Sequence, residues 1–299
     1  MADSPLPSDL PDAPTGRAAL ERWLMAYADT LAEVVAVELK KIVVRAYKQF
    51  LATLPPDATP SAITASGDFS SFDAIPGAWD DVVGSRIVPQ LEVMNLSGGL
   101  SAWVRSAAPD VASSQFAGQW ASVVNQQAVD YLATATNRLS GVGDSIWNDI
   151  RSRVSQAVKT GASNETLRLE IKQIGDYSDY RADLVARTET VGAYNSGNWA
   201  GAQALGPYGP VEKVWVSSLD GRTRPTHQRL HDKSMPTAQP FIVGGYPMMF
   251  PLDPSGPPQE VIQCRCYLEM LFPGDDLPGG GKVAVNPLDP LALVSPVGL

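Results

Sequence analysis

The only two histidines and the only two cysteines of this 299-residue chain all fall between residues 227 and 266. His227 and His231 are four apart, which puts both side chains on one face if the segment is helical. Cys264 and Cys266 flank Arg265, and alternate residues of an extended strand share a face. Imidazole and thiolate are ordinary zinc ligands. His227, His231, Cys264 and Cys266 therefore make a candidate four-ligand zinc site, a structural clasp for a loop-rich region with little core. The spacing is not that of a zinc ribbon or finger, because C-x-C is tighter than the usual pair. Nor is it an HExxH helix, since Gln228 stands where the Glu would be. Two other readings of the same residues stay open: a buried Cys pair with hydrogen-bonded His side chains, and a Cys–His catalytic arrangement. A disulfide between Cys264 and Cys266 is not expected, because their Cβ vectors on one strand run parallel.

Two further groups surround these residues. Asp220-Gly221 is a strong turn signal after an apolar run that includes Trp215, and Asp220 is expected to bind Arg222 or backbone groups at the turn. Upstream stand Arg187, Thr188, Glu189, Thr190, Asn195 and Asn198. Glu189 and the two Asn lie two to three helical turns apart, too far for a catalytic pair, so helix capping and salt bridges to the following strand layer are expected. The chain has no phosphate-binding G-x-x-x-x-G-K-[ST] loop, no G-x-G-x-x-G after a strand and no G-x-S-x-G elbow.

The elements that must position these residues follow from periodicity and breakers. Residues 1–16 hold Pro5, Pro7, Pro11 and Pro14 and read as a disordered arm. Leu24, Ala28, Leu31, Val35, Leu39 and Ile42 recur every three or four residues, which predicts a long helix from Arg17 to Leu54, stopped by Pro55-Pro56. Such a stripe needs other helices, or another chain, to cover it. A linker is expected over 55–75, then a helix over 79–96 kinked at Pro89 and broken by Ser97, Gly98 and Gly99. A further helix is predicted from about 110 to 139, interrupted at Gly141 and Gly143 and resuming to a C-cap at Gly161. Ser163 reads as an N-cap for a short helix ending at Gly175, and a separate helix over 180–205 ends at Gly206. From Val211 to Ser217 the pattern is a strand. Pro/Gly-dense turns and apolar islands follow, and residues 273–299 read as an extended tail. The fold class is α+β: a helical region over 17–150, then a small, mixed, loop-rich domain over 151–272.

Composition narrows the classes. An apolar content of 44% is enough for a sizeable core. No apolar run reaches the length of a membrane span. Met1–Pro5 carries neither the basic nor the apolar segment of a secretory signal, so none is expected. The net charge of −9 speaks against general binding to nucleic-acid phosphates. It is unevenly placed: residues 1–150 carry −8, residues 151–234 carry +3 and residues 235–299 carry −4.

Taken in order, Val158 to Leu167 with Gly161, Ser163 and Glu165, then Arg181 to Thr190 with Arg187-Thr188-Glu189-Thr190 and Asn195, then Trp215 followed by Asp220-Gly221-Arg222-Thr223-Arg224-Pro225-Thr226-His227, then Phe241 to Gly245, Pro251 to Pro254 and Cys264-Arg265-Cys266, closely resemble the phage head morphogenesis family. These are the minor head proteins similar to the F protein of phage Mu. The resemblance covers roughly residues 150–270 and implies a non-enzymatic minor capsid protein of a tailed phage, in several copies inside the head near the portal. It would associate with the portal protein, and with other head or scaffold proteins, and support head assembly and genome packaging or delivery. No membrane, no sequence-specific nucleic acid and no cofactor other than the candidate zinc is implied. The short Pro/Gly tail leads us to expect no appended toxin or enzyme domain. Many relatives place Cys near the positions of Thr223 and Thr226, whereas this chain offers His227 and His231. The rival reading is a metal-dependent hydrolase or nuclease acting at the phage genome, with Asp220 as its base beside His227, His231, Cys264 and Cys266; a Cys–His peptidase for head maturation is a further rival.

Overall fold

A computed structural model describes residues 16–53, 70–106, 115–159 and 164–284. The expected arm before residue 16, most of the 55–75 linker, the caps at Gly161 and Ser163 and the last part of the tail lie outside the described residues. The helices come first: α1 (Arg17–Thr53), α2 (Ser70–Asp73), α3 (Ile75–Val82), a π-helical turn (Val83–Ile87), α4 (Val88–Ser106), α5 (Gln115–Lys159) and α6 (Asn164–Ala204). Then come β1 (Glu212–Val216), α7 (Pro225–Gln228), β2 (Lys233–Pro236), β3 (Phe241–Val243), β4 (Tyr246–Met248), α8 (Pro258–Val261) and β5 (Tyr267–Leu271). This is the α+β order expected from the sequence. Among the described residues no helix is long and apolar enough to cross a membrane.

The chain forms two compact units, each drawn from separate stretches. One holds Ala28–Gln90 and Ala133–Ala186; the other holds residues up to Tyr27, Leu91–Leu132 and residues from Arg187 onward. The boundary expected at residue 150 falls inside α5. In the all-helical unit the α1 stripe is covered within the chain itself. Leu31, Val35, Leu39, Val43, Ala46 and Phe50 are buried, and Ile42 sits one position off the stripe, half-buried. The Trp79 indole N–H donates to the Leu139 carbonyl at 2.6 Å. Phe72 stacks on Trp147 with ring centroids 5.8 Å apart. Glu38, on the same helix, takes Lys41 and Arg86 at 2.8 Å each.

Three expected breaks are absent. Gly98 and Gly99 lie inside α4, Gly141 and Gly143 inside α5, and Gly175 inside α6. At several of these positions glycine serves close packing rather than termination. A Cβ on Gly98 would run into the Tyr194 carbonyl oxygen, and one on Gly197 would overlap that of Asn95. A Cβ on Gly201 would sit 2.7 Å from the Gly99 carbonyl oxygen. So α4 and α6 touch backbone to backbone, an approach that only residues without a side chain allow. Similarly, a Cβ on Gly143 would press to 3.0 Å from the Trp79 ring. Helix α6 does end where a glycine was expected to stop it: Gly206 follows with φ +56°.

The second unit carries a three-stranded antiparallel sheet in the order β2–β1–β5 and a separate β3–β4 hairpin. Glu212 of β1 faces Pro236 of β2 and Leu271 of β5, which makes β1 the centre and leaves β2 and β5 as edges. Val214, Trp215 and Val216 are all buried, so both faces of β1 are covered. Residues 273–284, expected as part of an extended tail, fold back in a tight turn instead. Asp276 bridges Lys282, Val283 is buried, and Arg105 of α4 donates to the Met270 carbonyl and to Asp275 at 2.8 and 2.9 Å.

The glycine contacts give a prediction with two signs. Gly197→Ala should destabilise the protein by about 1–3 kcal/mol, because α4 must move away. Gly141→Ala, where a Cβ meets nothing within 4 Å, should instead stabilise it by about 0.5–1 kcal/mol through helix propensity. Urea midpoints compare the two; a loss at Gly141 as large as that at Gly197 would refute the packing argument.

Candidate functional site

Strand β5 is an edge, and an edge strand exposes unpaired backbone groups. Here α6 supplies their partners from its side chains. The Leu268 N–H donates to Asn195 Oδ1 at 2.9 Å, and Asn198 Nδ2 donates to the Leu268 carbonyl at 2.9 Å. Asn195 Nδ2 also donates to the carbonyls of Cys266 and Pro251, at 3.1 and 3.0 Å. Two helical turns further back on the same face, Thr188 Oγ1 accepts from the Gln263 N–H at 2.9 Å. Gln263 itself sits in the left-handed region, φ +59°, a conformation that a non-glycine residue holds only where its surroundings enforce it. Buried Glu189 lies against the Tyr131 hydroxyl. Thr188, Asn195 and Asn198 of the upstream group thus reach the strand layer by hydrogen bonds to backbone, where capping and salt bridges were expected.

This clamp places the two cysteines. Both thiols are free and buried, 2% exposed, and both face the ring of His227, itself 1% exposed. His227 Nδ1 lies 3.4 Å from Cys264 Sγ and 3.4 Å from Cys266 Sγ. On the other side of the ring, Nε2 meets Glu260 Oε2 at 2.9 Å. Thr226 Oγ1 donates to the same carboxylate oxygen at 2.9 Å. The imidazole packs edge-on to Trp215, with centroids 5.3 Å apart. Ser217 Oγ donates to the His227 carbonyl and lies 3.5 Å from Cys266 Sγ. Burial pushes the Cys264 thiol up. The hydrogen bond from Cys264, reinforced by His227, pulls Cys266 down, so the pair holds one proton more tightly than the other.

Of the four residues singled out from the sequence, the fold gathers three. His227, Cys264 and Cys266 converge with all ligand-type atoms within 4.8 Å of one another, and His231 is not among them. The i, i+4 argument needed a helix through both histidines, but α7 ends at Gln228. The chain turns at His231, whose Nδ1 accepts from the Ser217 N–H at 3.1 Å and whose Nε2 lies 3.3 Å from Asp232. Glu260 was missed because nothing in its local sequence marks it. Its role appears only once α8, 33 residues downstream of His227, packs behind the ring.

Asp220 has a different task. Its carboxylate is gripped by both terminal nitrogens of Arg265, accepts from the Arg222 N–H at 3.0 Å and from Thr223 Oγ1 at 3.2 Å. The Arg265 guanidinium holds its carboxyl well below the usual carboxylate range. It ties the turn after β1 to the residue between the two cysteines and lies outside the His–Cys–Cys cluster. A small polar cleft opens beside the cluster, lined by Ser218, Thr223, Arg224, Gln263 and Arg265.

A buried lysine stands on β1. Lys213 Nζ donates to the Met249 carbonyl at 2.7 Å and sits 5.2 Å over the Phe241 ring. Burial pushes its amine down to about 8, with Asp253 pulling the other way.

Residues 148–269 match the family described as Phage Mu protein F like protein. No curated protein and no solved structure matches the chain.

Asn195→Ala should cost about 2–4 kcal/mol, because it strands the Leu268 N–H and the carbonyls of Pro251 and Cys266. A thermal or urea midpoint within error of wild type would show that the clamp is dispensable. For Lys213 the sign runs upward with pH. The unfolded amine binds its proton up to about pH 10.5 and the folded one only to about 8, so stability rises with pH between these values. Lys213→Met should flatten that rise in urea midpoints between pH 8 and 10, and equal slopes in the two proteins would refute it.

Proposed function

We propose that this chain, whose residues 148–269 match the family described as Phage Mu protein F like protein, is a phage head morphogenesis protein, a minor capsid component held at the portal inside the head. In this reading it supports head assembly and genome packaging or delivery, in several copies per particle, and performs no chemistry of its own. The observation that carries the reading is the family match over the module that contains the α6 clamp, the three-stranded sheet and the His–Cys–Cys cluster.

Two features support it. The N-terminal half is acidic, −8 over residues 1–150, which suits a protein working beside packaged DNA without adhering to it. And Asp220, the residue a hydrolase would need as base, is committed to Arg265. The portal reading does not lean on an uncovered helix stripe, since α1 buries its stripe within the chain.

Co-expression with the portal protein of the same phage is the direct test. The expected result is a stable complex that survives size-exclusion chromatography, and recovery of the chain from mature particles. Failure to associate with the portal, together with absence from particles, would overturn the proposal.

A further inference from the structure

We propose that His227, Cys264 and Cys266 form a three-residue metal site for a zinc-class ion, with Glu260 as the outer partner that orients the imidazole. The proposal goes beyond the head-protein reading and does not depend on it.

Consider first where the protons lie. Glu260 presents a carboxylate oxygen to Nε2 at 2.9 Å, and a carboxylate accepts, so a neutral imidazole carries its proton on Nε2. That leaves the Nδ1 lone pair directed at two sulfurs, each 3.4 Å away. One lone pair accepts one S–H well. A second thiol at the same distance gains nothing from it. A single cation between the three atoms satisfies all of them.

The distances agree with that cation. Zinc bonds of about 2.3 Å to sulfur and about 2.0–2.1 Å to nitrogen, at tetrahedral angles, put ligand nitrogen and sulfur about 3.6 Å apart. The observed separations are within a few tenths of an ångström of this. The donor set is soft and borderline, two thiolates and an imidazole, which selects zinc over the hard oxygen-loving cations. The surroundings are those of a ligating histidine: its second nitrogen hydrogen-bonded to a carboxylate, and that carboxylate fixed in turn. Glu260 is fixed by Thr226 Oγ1 at 2.9 Å and by the space at Gly244, φ +58°, where a Cβ would run into Glu260 Oε1.

Three protein ligands leave one position, and the polar cleft beside Ser218 and Thr223 gives solvent access to it. Binding releases the two thiol protons to water, leaving both sulfurs as thiolates on the ion. The mechanical effect is a cross-link. It joins α7, a helix of four residues too short to hold itself, to the lead-in of β5 some 37 residues later.

The test uses the full chain and cobalt as the probe. Chelator-stripped protein titrated with Co(II) should give tetrahedral visible bands and a thiolate charge-transfer band that saturate at about one ion per chain. Protein purified without chelator should contain about one zinc. His231→Ala should retain both signals. Glu260→Gln should weaken binding about 10–100-fold. Cys264→Ser and Cys266→Ser should each abolish the charge-transfer pattern. Should those variants fail to fold, alkylation of the wild type decides the matter: zinc should protect Cys264 and Cys266 from iodoacetamide, read by mass spectrometry. Absence of both bound zinc and a cobalt spectrum in the wild type overturns the site, as does loss of the spectrum in His231→Ala or equal alkylation with and without zinc. None of these readouts involves the portal.

Discussion

The free edge of β5 governs this part of the protein. A three-stranded sheet leaves two edges, and the backbone groups of a covered edge must find partners or cost about 1–3 kcal/mol each. The chain meets this at β5 with side chains from a helix rather than with a fourth strand. Asn195 is suited to it, since its amide both accepts from an N–H and donates to carbonyls. It takes one from Leu268 and gives to Cys266 and Pro251. Through Cys266, Leu268 and Pro251 this contact ties α6 to the lead-in of β5, to β5 itself and to the turn after β4.

Helix α6 can do this only because its other side lies against α4 at backbone distance. At 3.6 residues per turn, Thr188 and Asn195 share one face, while Gly197 and Gly201 fall on another. The first face reads the strand and the second takes the close approach to Asn95 and Gly99. Asn95 strengthens that seam, donating to the Ala193 carbonyl at 3.0 Å, and Trp120 of α5 adds a bond to the Gly201 carbonyl at 2.9 Å. A larger residue at Gly197 would therefore act at a distance. It would move the helix whose asparagine sets the depth of Cys266.

The sequence made some of this legible and hid the rest. The α1 stripe, the β1 strand and the end of α6 at Gly206 followed from periodicity and backbone preference, because both act locally. The internal glycines misled for the opposite reason. Helix propensity counts Gly98, Gly141 and Gly175 as breaks, but the cost of about 1 kcal/mol apiece is small beside the packing of helices this long. Likewise His227 and His231 looked paired because four-residue spacing assumes a helix, and the helix there ends one residue after His227. The cysteines were found by scarcity alone. The carboxylate partner of His227, Glu260, carried no such mark among the 32 acidic residues.

The clamp and the cluster meet in one residue. The Cys266 carbonyl is held by Asn195 and its sulfur faces His227, so the position of α6 is transmitted to the imidazole through a single amino acid. Arg265, its neighbour, faces Asp220 and pins the turn from which α7 starts. Cys264 and Cys266 thus hold His227, and Arg265 holds Asp220, so one stretch before β5 fixes two points of the chain between β1 and β5. Apart from β2, which pairs with β1, the chain between β1 and β5 has two three-residue hairpin strands and two four-residue helices, little regular structure to fix itself. Its order comes from polar contacts that converge on three consecutive residues. This explains why a chain so sparing of cysteine and histidine places three of its four such residues here.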